Sequence, residues 1–238
     1  MKLDILVLGA HPDDAEISCG GTIAKHIALG KKVGVVDLTR GELGTRGTPE
    51  IRDQEATTSA KMLGLTVREN IGLRDGFFKN SEEAQLKVVA VIRKYQPDIV
   101  LTNAVHDRHP DHGRAAELVY ESIFLSGLVK VETKIDGTTQ AAWRPKAVYH
   151  FIQSQYIEPD FVVDVSDFWE KKIESLHAFK SQFYDPKSKE PETFISSPGF
   201  MKLIEARGHE LGYSIGVKYG EGFTLQRHLG VKNLFDLI

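Results

Sequence analysis

Residues 5–10 read ILVLGA, six consecutive apolar residues bounded by polar ones. A run this short and rich in Ile, Val and Leu has the length of a strand. Lacking polar alternation, such a strand must be covered on both faces. The pattern recurs: Val33–Thr39 is a second buried strand, Val67–Leu73 a weaker candidate, and residues 98–104 a fourth. Between them lie stretches of helical length. One runs from about 15 to 29, with Gly30 as its C′ residue. A second covers 50–63 and ends at Gly64, and a third runs from the capping Ser81 to about Gln96, where Pro97 stops it. A fourth covers 113–125. Strands buried on both faces and alternating with helices predict an α/β fold, a Rossmann-like, mostly parallel sheet with helices on both sides and right-handed crossovers.

Beyond residue 126 the pattern loosens. Residues 128–144 read as an irregular insertion, and 147–152 and 161–165 as two further apolar runs. Ser166 is a candidate cap for a helix reaching about Phe183. Ser197-Pro198 opens a last helix, and the tail from about Tyr213 is Gly-rich and ends in Asn233–Ile238. No linker composition separates the halves. The expected organisation is one domain over 1–238, with a core at 1–126 that holds the site and a C-terminal α/β elaboration at 127–238.

Several function classes are excluded or disfavoured by composition. A net charge of −3 over 238 residues lacks the basic excess of a nucleic-acid-binding protein. No window approaches the ~18–20 apolar residues of a membrane span, and residues 5–10 are too short for a secretory h-region. The single cysteine, Cys19, can form neither an internal disulfide nor a Cys-rich zinc site, and reads as a small packed residue. The expected location is cytoplasmic, with no membrane and no nucleic-acid partner.

Two segments carry chemistry: Ala10-His11-Pro12-Asp13-Asp14 and His106-Asp107-Arg108-His109-Pro110-Asp111-His112. Either alone is ordinary turn chemistry, because Pro and Asp favour turns. Both, however, closely follow a predicted buried strand, the first and the fourth. In a doubly wound sheet strand 4 often returns to the far side of strand 1, and ligands bind outside the strand ends at that switch point. The two segments would then face each other across one crevice. Imidazole and carboxylate suit Zn²⁺, whose catalytic sites use three protein ligands and keep a position open. A neighbouring carboxylate can serve as base, and Asp111 can orient an imidazole through its second nitrogen.

The paired motifs AHPDD and HPDH resemble the LmbE-like, or PIG-L, de-N-acetylase family, which is zinc-dependent and Rossmann-like. The resemblance covers most of the chain. It implies that His11, Asp14 and His112 bind the metal, Zn²⁺, with Fe²⁺ able to use the same set. It implies Asp13 as general base, a protonated His109 at the oxyanion and Asp111 as the supporting carboxylate. The run Arg40-Gly-Glu-Leu-Gly-Thr-Arg-Gly-Thr48, with Arg52, Glu55 and Arg74-Asp-Gly76, resembles the bacillithiol-biosynthesis deacetylases. Those enzymes deacetylate N-acetylglucosaminyl malate, a small amino-sugar substrate, and the relatives imply a homo-oligomer, such as a hexamer. The same chemistry on another N-acetylglucosaminide of chitobiose type, or on a thiol-conjugate amide, is the alternative. Substrate contacts are implied for Arg52 and Asp75. Arg40, Arg46, Arg52 and Arg108 lie in predicted active-face loops or beside them, where guanidinium groups suit the two malate carboxylates, and Arg108 is added to the substrate contacts on that ground. Tyr149–Phe151, ending a predicted strand, is a further candidate for the pocket wall. His26, His150, His177, His209 and His228 have no ligand-like neighbours and read as structural or surface residues. Gly20-Gly21 do not form a dinucleotide fingerprint and read as helix-packing glycines.

Overall fold

The computed structural model describes residues 1–237, and Ile238, the last residue of the expected tail, lies outside them. The elements in chain order are β1 (Ile5–Gly9), α1 (Asp14–Ala28), β2 (Val33–Thr39), α2 (Pro49–Leu63), β3 (Val67–Leu73), α3 (Glu82–Tyr95), β4 (Ile99–Thr102) and α4 (Pro110–Ser126). A two-stranded hairpin follows, β5 (Lys134–Ile135) and β6 (Thr138–Thr139). Then come β7 (Ala147–Phe151), β8 (Phe161–Asp164), α5 (Trp169–Leu176), α6 (Phe200–Ser214) and β9 (Gly220–Leu225).

Seven strands form one sheet in the order β3-β2-β1-β4-β7-β9-β8. β1 lies parallel between β2 and β4, with Ile5 facing Val33 on one side and Ile99 on the other. β9 runs antiparallel to both its neighbours, β7 and β8. The fold is therefore the mostly parallel, helix-flanked α/β sheet that the apolar runs require, and β1 and β4 frame the anticipated switch point. Side-chain alternation along β1 divides the core. Leu6 and Leu8 pack with Val88, Ile92 and Leu118 of α3 and α4 on one face. Ile5 and Val7 pack with Ala15 and Ile23 of α1 on the other. Cys19 is fully buried in that second layer, at a kink in α1 where its backbone leaves helical geometry.

Helix caps explain the boundaries of α2 and α3 and the start of α4. Thr48 accepts from Ile51 N at the start of α2, Pro49 occupies the first turn, and Gly64 ends the helix in left-handed geometry. Ser81 caps α3 as its sequence position predicts. The predicted helix at 113–125 actually begins at Pro110, with His109 as its N-cap. Asp111 and His112 therefore lie in a first helical turn, not a loop, because Pro is well suited to the first helical position.

The C-terminal half departs further from expectation. The helix expected to run from Ser166 to about Phe183 is a 3-10 turn at Ser166–Phe168 followed by α5, which stops at Leu176. Ser166 does not cap it: its hydroxyl donates to Asp164 Oδ1 and accepts from Lys218 N and Tyr219 N. The last helix starts at Phe200, two residues after Pro198. Within the Gly-rich tail lies β9, an interior strand. Glycine weakens strand propensity and so conceals β9 in the sequence, but close packing requires it there. A Cβ on Gly220 would stand 2.5 Å from Val162 Cγ1 and 2.9 Å from Gly212 N of α6. The insertion at 128–144 is pinned by buried Arg93, whose guanidinium donates to the carbonyls of Ser126, Leu128 and Val131.

Candidate active site

The chain leaves β1 at Gly9 and turns at once into α1. The residue that makes the turn is Asp13, in a left-handed conformation (φ 113°, ψ −25°) without a side-chain cap. That backbone is costly for a non-glycine residue, at about 1–3 kcal/mol, and such strain gathers at functional sites. It places Asp13 and Asp14 side by side, both buried, with their carboxylates serving different partners.

Asp14 bridges the two motifs. Its Oδ1 lies 3.2 Å from His112 Nε2 and its Oδ2 3.6 Å from His11 Nδ1. It accepts further hydrogen bonds from His11 N (3.0 Å), Asn103 Nδ2 (2.9 Å) and Gln153 Nε2 (2.7 Å). Burial pushes its carboxyl upward, but the charge of His112 and the bonds from both histidines hold it well below the usual range. Asp107, which sequence reasoning passed over, lies 2.6 Å from His112 Nδ1. With Nδ1 turned to Asp107, Nε2 is the ring nitrogen that faces Asp14. Asp111 approaches His11 instead, with Oδ2 3.5 Å from Nε2, and it also accepts from Gly76 N (2.7 Å) and Arg114 Nη1 (2.7 Å). The supporting carboxylate for His112 is thus Asp107, and that for His11 is Asp111 together with Asp75.

Asp75 lies 3.0 Å from His11 Nε2 and accepts from Leu43 N, while Glu42 accepts from Asp75 N. Burial opposes ionisation of Asp75, but the His11 contact outweighs it and lowers its pKa to about 2. His11 shows the converse. Burial depresses it, yet hydrogen bonds to Asp111, Asp14 and Asp75 raise it well above the ordinary imidazole value. Burial likewise depresses His112, but Asp14 and Asp107 lift it to about 9.

The distribution of donors fits a divalent cation. Ring nitrogens of His11, His109 and His112 lie within 4.8 Å of one another, as do donor atoms of His11, Asp75 and Asp111. Asp14 belongs to neither grouping but joins His11 to His112. Asp13 is paired with Arg52 and Asp111 with Arg114, whereas the buried Asp14 and Asp75 meet only imidazoles among their ion-pair partners, a carboxylate charge that a metal would neutralise. Imidazole and carboxylate form the zinc-type donor set, also open to Fe²⁺.

Asp13 faces Arg52, whose Nη2 lies 3.1 Å from Asp13 Oδ2 and also donates to Pro12 O (2.6 Å). Burial pushes the Asp13 carboxyl up to about 7 despite that guanidinium. Arg52 Nη1 reaches Gly41 O. A Cβ on Gly41 (φ +64°) would stand 1.9 Å from that nitrogen, so only glycine leaves room for the arginine. Arg52, read from sequence as a substrate contact, is therefore first a partner of Asp13.

His109 departs from expectation. As N-cap of α4 its Nδ1 accepts from Asp111 N (3.2 Å). Burial and the charges of His11 and His112 pull its pKa down to about 4. The free ring is neutral, with the proton on Nε2, and not the imidazolium expected from sequence.

His11, Asp13, Asp14, Arg52, Asp75, His109 and His112 line a cleft of about 310 Å³, whose wall also includes Arg46 and Arg108 and, from the C-terminal half, Gln153 and Thr193–Ile195. Arg108 stacks on Phe194, 4.3 Å from the ring centre. Arg40 is absent from the wall; it points outward and pairs with Asp53 and Glu50. Tyr149–Phe151 is also absent. Phe151 is core, and His150 bonds Asn103 O; the cleft is reached by Gln153 instead. No signal in the local sequence marks Asn103 or Gln153, whereas Asp107 lies within the His-rich motif itself.

The family profile described as PIG-L, GlcNAc-PI de-N-acetylase, matches residues 6–123. A diacetylchitobiose deacetylase of Thermococcus kodakarensis is 30% identical over 191 residues, covering 75% of this chain and 70% of that protein. A probable N-acetyl-alpha-D-glucosaminyl L-malate deacetylase 2 of Bacillus cereus is 27% identical over 195 residues, covering 76% and 84%. Among solved structures, the conserved protein TT1542 of Thermus thermophilus superposes with a TM-score of 0.85 at 33% identity, covering 97% of this chain and 98% of that one.

Proposed function

The chain belongs to the PIG-L family of GlcNAc-PI de-N-acetylases, and from that membership we propose that it deacetylates N-acetylglucosaminyl malate. At the coarser level it is an amidohydrolase, an N-deacetylase of N-acetylglucosamine-type substrates. The observation that carries the mechanistic reading is Asp14, which meets both His11 and His112 across the β1/β4 crevice beside a buried, separately held Asp13.

His11, Asp14 and His112 are the proposed holders of a divalent metal, Zn²⁺ or Fe²⁺, which when bound would lower the pKa of water and polarise the acetamide carbonyl. Asp107 fixes the His112 tautomer by taking its Nδ1–H, and Asp111 and Asp75 hold the His11 ring. Asp13 accepts a proton from the attacking water, and its ionisation near neutrality suits a base. Arg52 keeps the Asp13 carboxylate in place. His109 offers a neutral Nε2–H to the developing oxyanion. The C–O bond forms, the C–N bond breaks, and the amine leaves with the proton that Asp13 took from the water.

Support for the malate aglycone comes from resemblance and from the cleft. The probable N-acetyl-alpha-D-glucosaminyl L-malate deacetylase 2 of Bacillus cereus is among the relatives, and Arg52 and Arg108 stand in the wall. Asp75 is the proposed sugar contact. The test is acetate release by metal-loaded protein from N-acetylglucosaminyl malate, diacetylchitobiose and free N-acetylglucosamine. A kcat/KM for the malate glycoside at least ten-fold above the others is expected. Equal or faster turnover of chitobiose would replace malate with a neutral sugar, and acetate from none of them would remove the deacetylase assignment.

A further inference from the structure

Arg46 is the less satisfied of the two buried arginines in the cleft, the other being Arg52. Its side chain is only 5% exposed, yet among the described residues its guanidinium makes a single hydrogen bond, Nη2 to Ser188 Oγ at 2.8 Å. Its Nε is buried without a hydrogen-bond partner. The nearest carboxylate, Glu190 Oε2, stands 3.6 Å from Nε, beyond hydrogen-bond reach. The other carboxyl oxygen of Glu190 is engaged elsewhere, accepting from Gly47 N at 3.0 Å.

Burying a guanidinium with donors unused is unfavourable, and the cost falls when a planar anion takes two of them at once. Arg46 also lines the same cleft as Asp13 and His109, so a ligand bound for deacetylation can reach it. Glu190 is suited to give way. Its side chain is 45% exposed, and it lies on the segment between α5 and α6 that also supplies Thr193 and Phe194 to the cleft wall. Water would solvate a released Glu190 carboxylate, whereas the almost wholly buried Arg46 is best satisfied by an anion that enters the cleft.

We propose that Arg46 and Glu190 form an exchange pair that selects a carboxylate-bearing aglycone. The substrate's carboxylate takes the Arg46 guanidinium, and Glu190 is displaced to solvent. Arg46 is then a specificity-determining residue, and Glu190 a built-in competitor that the charged aglycone must displace and a neutral one need not. The inference rests on the deacetylase reading above and adds to it the residue that reads the charge.

The test compares N-acetylglucosaminyl malate with its neutral counterpart, methyl N-acetylglucosaminide, on metal-loaded protein. In Arg46→Gln the ratio of kcat/KM values, malate over methyl, is expected to fall ten-fold or more, through KM for the malate glycoside. Arg46→Lys should recover part of that ratio. Glu190→Gln should lower KM for the malate glycoside three-fold or more, a change that a merely structural ion pair would not produce. Arg40→Gln, outside the cleft, should leave the ratio unchanged. Equal losses on both substrates in Arg46→Gln, or a raised KM for malate in Glu190→Gln, would overturn the exchange pair while leaving the deacetylase standing. A wild-type protein that releases acetate from neither glycoside would instead remove the deacetylase reading, and the exchange pair with it.

Discussion

Asp13 and Asp14 are neighbours in sequence, yet the turn at φ 113° sends them to separate duties. Asp14 is locked among His11, His112, Asn103 and Gln153, whereas Asp13 sees chiefly Arg52. Substituting Asp13→Asn should therefore lower kcat by about 10²–10⁴-fold, the usual worth of a positioned base, with metal content per protein unchanged. Metal loss matching the activity loss would show that Asp13 is a ligand instead. Asp107→Asn tests the pairing that sequence reasoning missed. Freed from its carboxylate, the His112 ring should hold metal about 10–100-fold more weakly in chelator competition, as expected for loss of an outer carboxylate partner. An unchanged affinity would return Asp111 to that role. Asp107 stood within the readable motif. What hid its role was the start of α4 at Pro110, which turns His112 toward it and Asp111 toward His11.

At the scale of elements, β9 ties the C-terminal half to the site-bearing helix. Glu221 in β9 accepts from Gly21 N and Thr22 N of α1, just beyond the kink at Cys19, and pairs with buried Lys172 of α5 at 2.6 Å. It thus serves the amides that the kink leaves without helical partners. Glu221→Ala leaves Lys172 buried and unpaired and should cost about 3–5 kcal/mol in denaturant unfolding. A cost below about 1 kcal/mol would mean that Lys172 finds water instead. β1, β2 and β4 were legible because strands buried on both faces stand out as continuous apolar runs, and caps marked the helices between them; β3 (VRENIGL), a half-exposed edge strand, gave the weaker signal. β9 was not, because its glycines, demanded by close packing against α6 and β8, read as loop.

For the whole molecule, the crevice between β1 and β4 concentrates buried carboxylates around three imidazoles. Removing metal with a chelator should abolish acetate release, and adding Zn²⁺ should restore it. The chelated protein should also melt at a lower temperature, because the native state loses a ligand that the unfolded chain does not bind. An unchanged melting temperature on chelation, with activity retained, would mean that these carboxylates are balanced without a cation. No helix among the described residues is long and apolar enough to cross a membrane.

The sequence by itself determined the parallel sheet, the switch point and the placement of His11, Asp13, Asp14, His109 and His112 at two strand ends. All of these depend on local periodicity and on fixed offsets from a strand. Only the tertiary structure decided which carboxylate serves which imidazole, that Arg52 holds Asp13, that Arg40 faces away, and that Gln153 and Glu190 approach the cleft from the C-terminal half. Those pairings join residues tens to more than a hundred positions apart, or turn on the first residue of a helix. Their side chains are common types, so only packing reveals their partners.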